Sequence, residues 1–288
     1  MEIVPQLAAN SIIAGAIYAL VALGFNLIFS VTKFFNLTHG TLAAVGGYAV
    51  FFFFSTLGWN LYAAAVLGIF LAGLLGFLLD KIIYLPLRRR KASNMVLLVA
   101  SLGAFTVLQA VLAMLFTSQF QALSRDSTKV YELFGGQAVI TEIQVLMLVL
   151  AILLFLGLAA LLKYTMFGKA VKAIGDDEEV AKIVGINTAK VIGYVFFIGS
   201  AIAGLAGIFV GFDTGIEPTM GLPLLLKGII ASVIGGIGSL GGGMLGAFLL
   251  GFIENFGIWK ISGEWKDAIA FLLLILFLIF RPTGIVKK

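Results

Sequence analysis

Long apolar runs separated by short polar breaks dominate the chain. Crossing about 30 Å of hydrocarbon takes about 20 residues in helix. Runs of that order occupy residues 7–31, 41–57, 61–85, 95–117, 143–163, 191–212, 222–258 and 268–280. Glycines interrupt the seventh run at 235–243. If two short spans meet there the chain makes nine crossings, and if the run is one long span it makes eight. The pattern therefore predicts an all-α, polytopic transmembrane helical bundle, folded as a single domain over 1–288, with one segment broken by glycine.

Composition narrows the solvent. The chain is 61% hydrophobic and 11% charged, against about 25% charged in ordinary soluble domains, so it cannot build a water-facing surface. Its 35 glycines agree with a bilayer, where small residues let helices approach closely. No charged n-region precedes the first apolar run, so that run reads as a retained helix rather than a cleaved signal.

The net charge of +5 gives an orientation instead of a nucleic-acid partner. Lys and Arg are kept on the cytoplasmic side. A cytoplasmic C-terminus puts most of the basic residues inside, among them Lys33, Lys81, Arg88, Arg89, Arg90, Lys91, Lys163, Lys169, Lys172, Lys182, Lys190, Arg281, Lys287 and Lys288. Arg125, Lys129, Lys260 and Lys266 fall outside, Lys227 has no assigned side, and the outer segments collect Asp126, Glu132, Glu142, Asp213 and Glu217. Nine crossings then put the N-terminus outside. Two polar segments remain: an outer loop at 118–142, and an inner segment at 164–190.

The inner segment encodes a short helix. Asp176 or Asp177 suits its N-cap, Glu178 and Glu179 its first turn, and Gly185 the position past its end. Val180, Ile183 and Val184 share one side, an apolar face too short to bury itself. Such a helix either lies on the bilayer or inserts into a groove on a cytoplasmic partner.

Further motifs choose between these. Glu179-Val180-Ala181, followed after three residues by Gly185, resembles the Glu-Ala-Ala-x-x-x-Gly loop by which ABC importer permeases meet their ATPases, with Val180 in place of the first Ala. Gly15-Ala-Ile-Tyr-Ala-Leu20, Asn36-Leu-Thr-His-Gly40, Tyr84-Leu-Pro-Leu-Arg88, Gly185-Ile-Asn187, Gly235-Gly-Ile-Gly-Ser239 and Arg281-Pro-Thr-Gly284 are similar, in order, to elements of the branched-chain amino acid importer permeases. Leu37 and Thr38 replace that family's usual Phe-Ala. The resemblance covers essentially the whole chain. It implies a plasma-membrane permease without ATP-binding residues of its own, a second and different permease subunit, two ABC ATPases that carry the ATP, and an extracytoplasmic substrate-binding protein. It also implies leucine, isoleucine or valine as cargo, with urea and short amides carried by relatives. Under this reading Glu178, Glu179, Ala181, Gly185, Ile186 and Asn187 receive the ATPase motion.

Polar residues in apolar runs are the candidates for a translocation path: Asn10, Asn26, Asn36, Thr38, His39, Ser239 and Glu254. A charge at the bilayer centre costs about 3 kcal/mol or more, so Glu254 is expected to face a cavity, a partner or the interface. The amides can equally bond between helices, and His39 is expected to bond locally at a helix end. Gly199, Ala203, Gly207 and Gly211, and likewise Gly238, Gly242 and Gly246, recur every four residues as packing stripes, while Gly235, Gly238 and Gly242 border the expected hinge.

Enzyme readings are thin. A single His and no Cys give no metal set or thiol chemistry, and Ser239 with His39 is meagre support for a protease. The Gly236-x-Gly238-x-x-Gly241 spacing lies in a bilayer run without the strand a nucleotide fold requires, and Gly168-Lys169 is followed by Ala170 rather than Ser or Thr. A self-sufficient secondary transporter or channel is the remaining alternative.

Overall fold

A computed structural model describes residues 3–123, 129–133 and 135–286. The charges Arg125, Asp126, Lys287 and Lys288, used above for orientation, lie outside these residues. In lipid every backbone polar group must be satisfied within the segment, which leaves helix as the form for an isolated apolar run. The runs accordingly form α1 (Val4–Thr32), α2 (Thr38–Val50), α3 (Leu61–Leu79), α4 (Leu85–Arg89), α5 (Asn94–Phe116), α6 (Glu142–Tyr164), α7 (Met166–Asp176), α8 (Glu178–Ile183), α9 (Thr188–Asp213), α10 (Gly221–Gly235), α11 (Leu240–Gly257) and α12 (Lys266–Phe280). Six helices among the described residues are long and apolar enough to cross a membrane. This is a multi-pass helical membrane protein.

Two π-helical turns modify the helices. Phe51–Thr56 extends α2, and Asp80–Tyr84 joins α3 to α4. The polar segment 118–142 also contains regular structure that its polarity did not predict. Strands β1 (Val130–Leu133) and β2 (Ala138–Thr141) pair antiparallel, Val130 opposite Thr141. The Gln6 side chain joins α1 to this hairpin, accepting from the Val139 amide at 2.7 Å. The hairpin marks one end of the bundle, and α7 with α8 marks the other.

Helix α1 is the axis. Every residue from Gly15 to Ile28 is buried, against α9, α10 and α11. By contrast α6 fully buries only Met147, Ala151 and Leu158, packs Leu148, Leu154 and Leu161 partly against the core, and turns Leu146, Val149, Leu153 and Leu156 outward.

The chain does not run straight from α1 into α2. Lys33 adopts a left-handed conformation (φ 55°), and residues 33–37 return alongside α1 before α2 begins. His39, in the first turn of α2, therefore sits beside Val21, midway along α1. Helix α10 also starts deep, with Gly221 against Gly40, and runs to the α7–α8 end. There the backbone amides of Ile285 and Val286 donate to the carbonyls of Ile234 and Gly235, satisfying acceptors left free at the helix end.

Candidate translocation path and coupling surface

Local sequence builds the short helix at the α7–α8 end. Asp177, not Asp176, caps α8: its Oδ1 accepts from the Glu179 and Val180 amides at 2.8 and 3.0 Å, and Glu178 and Glu179 complement the positive end of the helix. Gly185 closes it at φ 88°, with the Ile186 amide donating back to the Ala181 carbonyl at 3.0 Å. Asn187 then caps α9 by accepting from the Lys190 amide. Glu178 accepts from the Thr188 hydroxyl at 3.1 Å and pairs with Lys182.

Glu178, Ala181, Gly185, Ile186 and Asn187 thus shape the segment. Ala181 is buried, whereas Val180, Ile183 and Val184 are 54%, 83% and 68% exposed. The outward surface carries this apolar trio beside the exposed charges Glu179 and Lys182.

A polar network ties that segment to the bundle. The Lys81 ammonium donates to the Ala189 carbonyl, in the first turn of α9, and pairs with Asp80 at 3.5 Å. Arg88 also pairs with Asp80, which is fully buried. One turn further along, the Tyr84 hydroxyl lies 2.9 Å from Asn36 Oδ1 and 2.8 Å from Thr38 Oγ1, and Thr38 donates to the Ser101 carbonyl. Asn36, Thr38 and His39 are therefore enclosed by protein. His39 does not bond locally, as expected from the sequence; its Nε2 lies 3.3 Å from the Val21 carbonyl of α1, because the returning segment lays the start of α2 against that helix.

The glycine-rich stretch is a tight turn between α10 and α11. Gly236 and Gly238 take positive φ, 115° and 80°, so Gly238 is not part of a helical stripe with Gly242 and Gly246 as its spacing suggested. Ser239 caps α11 by accepting from the Gly242 amide. Gly235 meets Gly242 directly, backbone to backbone. Asn26 clasps this turn from α1, its Oδ1 accepting from the Gly238 amide at 2.8 Å and its Nδ2 donating to the Ser239 carbonyl at 3.3 Å. Asn26→Ala leaves a partly buried amide unpaired, a loss of about 1–3 kcal/mol. The thermal midpoint of the detergent-purified protein is expected to fall; an unchanged midpoint contradicts this role.

Two cavities flank α1. One, of about 630 Å³ at the α7–α8 end, is lined by Asn26, Ser30, Lys163, Lys172, Asp176 and Gly238. The other, of about 460 Å³ toward the hairpin end, includes Asn10, Tyr18, Asp213, Glu217 and Lys227. Between the stretches of α1 that line them, Ala19 to Leu23 are fully buried. The candidate path residues thus separate: Asn10 lines one cavity, Asn26 the other, and Asn36, Thr38 and His39 lie within the bundle.

Glu254 is fully buried and accepts from the Tyr18 hydroxyl at 2.8 Å and from the Lys227 ammonium. Lys227, which the sequence left without a side, proves to be its partner. Two opposite charges in the one interrupted run 222–258, each costly alone, are the signal that could have found the pair.

Residues 7–278 match the model of a family described as the permease component of the branched-chain amino acid transport system. The chain belongs to this family. The permease is 33% identical over 298 residues to the high-affinity branched-chain amino acid transport permease LivH of Escherichia coli K12, covering 97% of this chain and 94% of the relative. It is 31% identical over 296 residues to BraD of Pseudomonas aeruginosa, covering 98% and 95%. The solved PsaBC structure from Streptococcus pneumoniae in complex with Fab shares the fold of the permease, with a TM-score of 0.54 at 14% identity over 95% of this chain and 91% of that one.

Proposed function

We propose that this permease is one membrane half of an ATP-driven importer in a bacterial or archaeal plasma membrane, and that its cargo is a branched-chain or related amino acid. A second, different permease subunit completes the membrane core, two ABC ATPases bind its inner face, and an extracytoplasmic binding protein delivers substrate. The chain crosses the bilayer nine times, with the hairpin end outside and the α7–α8 end in the cytoplasm. Family membership supports the transport role. The observation that carries the ATPase coupling is the uncovered side of α8, where Val180, Ile183 and Val184 form an apolar knob on a helix fixed at both ends.

Power strokes of the ATPases reach the bundle through Glu178 to Thr188 and Lys81 to Ala189, bonds that join α8 to the base of α9 and α9 to the α3–α4 junction. The two cavities on either side of the buried middle of α1 are the outward and inward compartments of the path.

Gly185→Trp tests the coupling. No neighbour lies within 4 Å of a Cβ at this position, but the left-handed backbone there costs about 1–2 kcal/mol for an L side chain, which displaces the end of α8. The variant is expected to reach the membrane yet lose co-purifying ATPase. Retained co-purification together with retained uptake overturns the assignment.

A further inference from the structure

The cavity toward the hairpin end carries charges of both signs on an apolar floor. Ile13, Ile17, Met220 and Leu224 supply the apolar wall. Lys227 and Lys266 supply the cations, and Asp213 and Glu217 supply carboxylates. Such a lining offers counter-charges of both signs to an ionic solute, whose own desolvated charges are costly without them. It fits a molecule that bears one positive and one negative group beside an aliphatic body.

The pairing within the cavity shows how a ligand can be accommodated. Lys227 is 11% exposed and lies between two carboxylates, Glu254 at 2.5 Å and Asp267 at 2.8 Å. Glu254 is fully buried and further held by Tyr18, with Lys266 4.0 Å away. Asp267 is 70% exposed, and an exposed partner of this kind contributes little. A ligand carboxylate can therefore replace Asp267 on Lys227 while the Lys227–Glu254 pair stays intact, leaving no buried charge unpaired. Across the cavity, Asp213 accepts from Gln144 at 2.8 Å and Glu217 from Thr219 at 2.7 Å. Each carboxylate keeps acceptor capacity beyond that one bond, which serves a ligand ammonium. A cavity of about 460 Å³ lies within the usual size range of small-molecule sites.

We infer that this cavity is a substrate site for a zwitterionic aliphatic amino acid, with Lys227 and Lys266 holding the α-carboxylate, Asp213 and Glu217 the α-ammonium, and Ile17, Met220 and Leu224 the side chain. The inference rests on the transport reading above and narrows it, since urea and simple amides lack both charges. Lys227 acts on the ligand directly, and Glu254 and Tyr18 position Lys227.

The test uses the permease assembled with its partner subunits in nanodiscs, without binding protein, irradiated with a diazirine analogue of leucine. The expected label falls on the segments holding Ile17, Met220 or Leu224. Leucine competes it away, while leucinamide, which lacks the carboxylate, and 4-methylpentanoate, which lacks the ammonium, do not. Lys227→Gln lowers labelling roughly ten-fold or more, the value of one charge-assisted bond. Label elsewhere, competition by leucinamide equal to that by leucine, or wild-type labelling of a folded Lys227→Gln overturns the site. The competition arm needs no variant and so survives misfolding of Lys227→Gln. Uptake of labelled leucine by the same wild-type complex with binding protein is run in parallel. Accumulation with label outside the cavity removes this site alone, whereas no accumulation removes the transport reading and the site with it.

Discussion

Gly207→Val is expected to abolish folded protein. A Cβ at Gly207 would stand 1.8 Å from the carbonyl oxygen of Ala43 and 2.4 Å from its carbon. Both obstacles are backbone, so no rotamer change relieves the clash, and α9 must be pushed away from α2. Overpacking a core commonly costs about 1–3 kcal/mol even where side chains can yield, and here they cannot. The neighbouring contact reinforces this, because Gly46 and Gly204 meet backbone to backbone across the same helix pair.

Size-exclusion chromatography of a fluorescent fusion in detergent reads the outcome directly. The monodisperse peak is expected to disappear for Gly207→Val and persist for Gly103→Val and Gly157→Val, where nothing lies within 4 Å of the added carbon. A normal peak for Gly207→Val would mean that α2 and α9 are not packed this closely.

Ile183→Asp is expected to leave the bundle intact and remove ATP-driven uptake. Ile183 is 83% exposed, so its loss opens no cavity. Placing a carboxylate at the centre of an apolar contact removes a central anchor, worth about 2 kcal/mol or more, or roughly 30-fold in association. Uptake by reconstituted vesicles and ATPase co-purification should fall together. If α8 merely rests on the lipid surface, the same change releases it from the bilayer and leaves the ATPase bound. The two outcomes therefore separate docking from surface attachment.

Much of the bundle was legible because apolar runs of membrane length leave helix as the form that satisfies their backbone. The ends of α8 were legible too, to within the choice of Asp176 or Asp177, since Asp177 and Gly185 act through bonds a few residues away; the capping of α9 by Asn187 was not read from the sequence. What hydropathy could not supply is the inside and outside of each helix. Lipid tails are as apolar as a protein core, so the outward faces of α6 read like the enclosed faces of α1. The deep start of α2 was hidden for a related reason. Asn36 and Thr38 look like a polar turnaround, and only Tyr84 and Ser101, far along the chain, show that they are enclosed.

The site was legible in its members more than in its grouping. Asn26 and Gly238 are 212 positions apart, and Tyr18 and Glu254 are 236 apart. No local pattern announces such pairs. Glu254 stood out as a charge in an apolar run. Lys227 did not, because a single lysine early in an interrupted run reads equally well as a loop residue. The apolar trio on α8 was visible as a face, yet a motif match draws attention to Glu178, Ala181 and Asn187, whose bonds are spent within the segment.

The most direct measurement is accumulation of labelled leucine in sealed proteoliposomes, with and without the ATPase subunits, in the presence of the second permease and the binding protein. The predicted result is uptake against a gradient that requires both internal ATP and the ATPases, and that ceases when they are left out. Uptake by this chain alone, driven by an ion gradient and indifferent to ATP, would contradict the account.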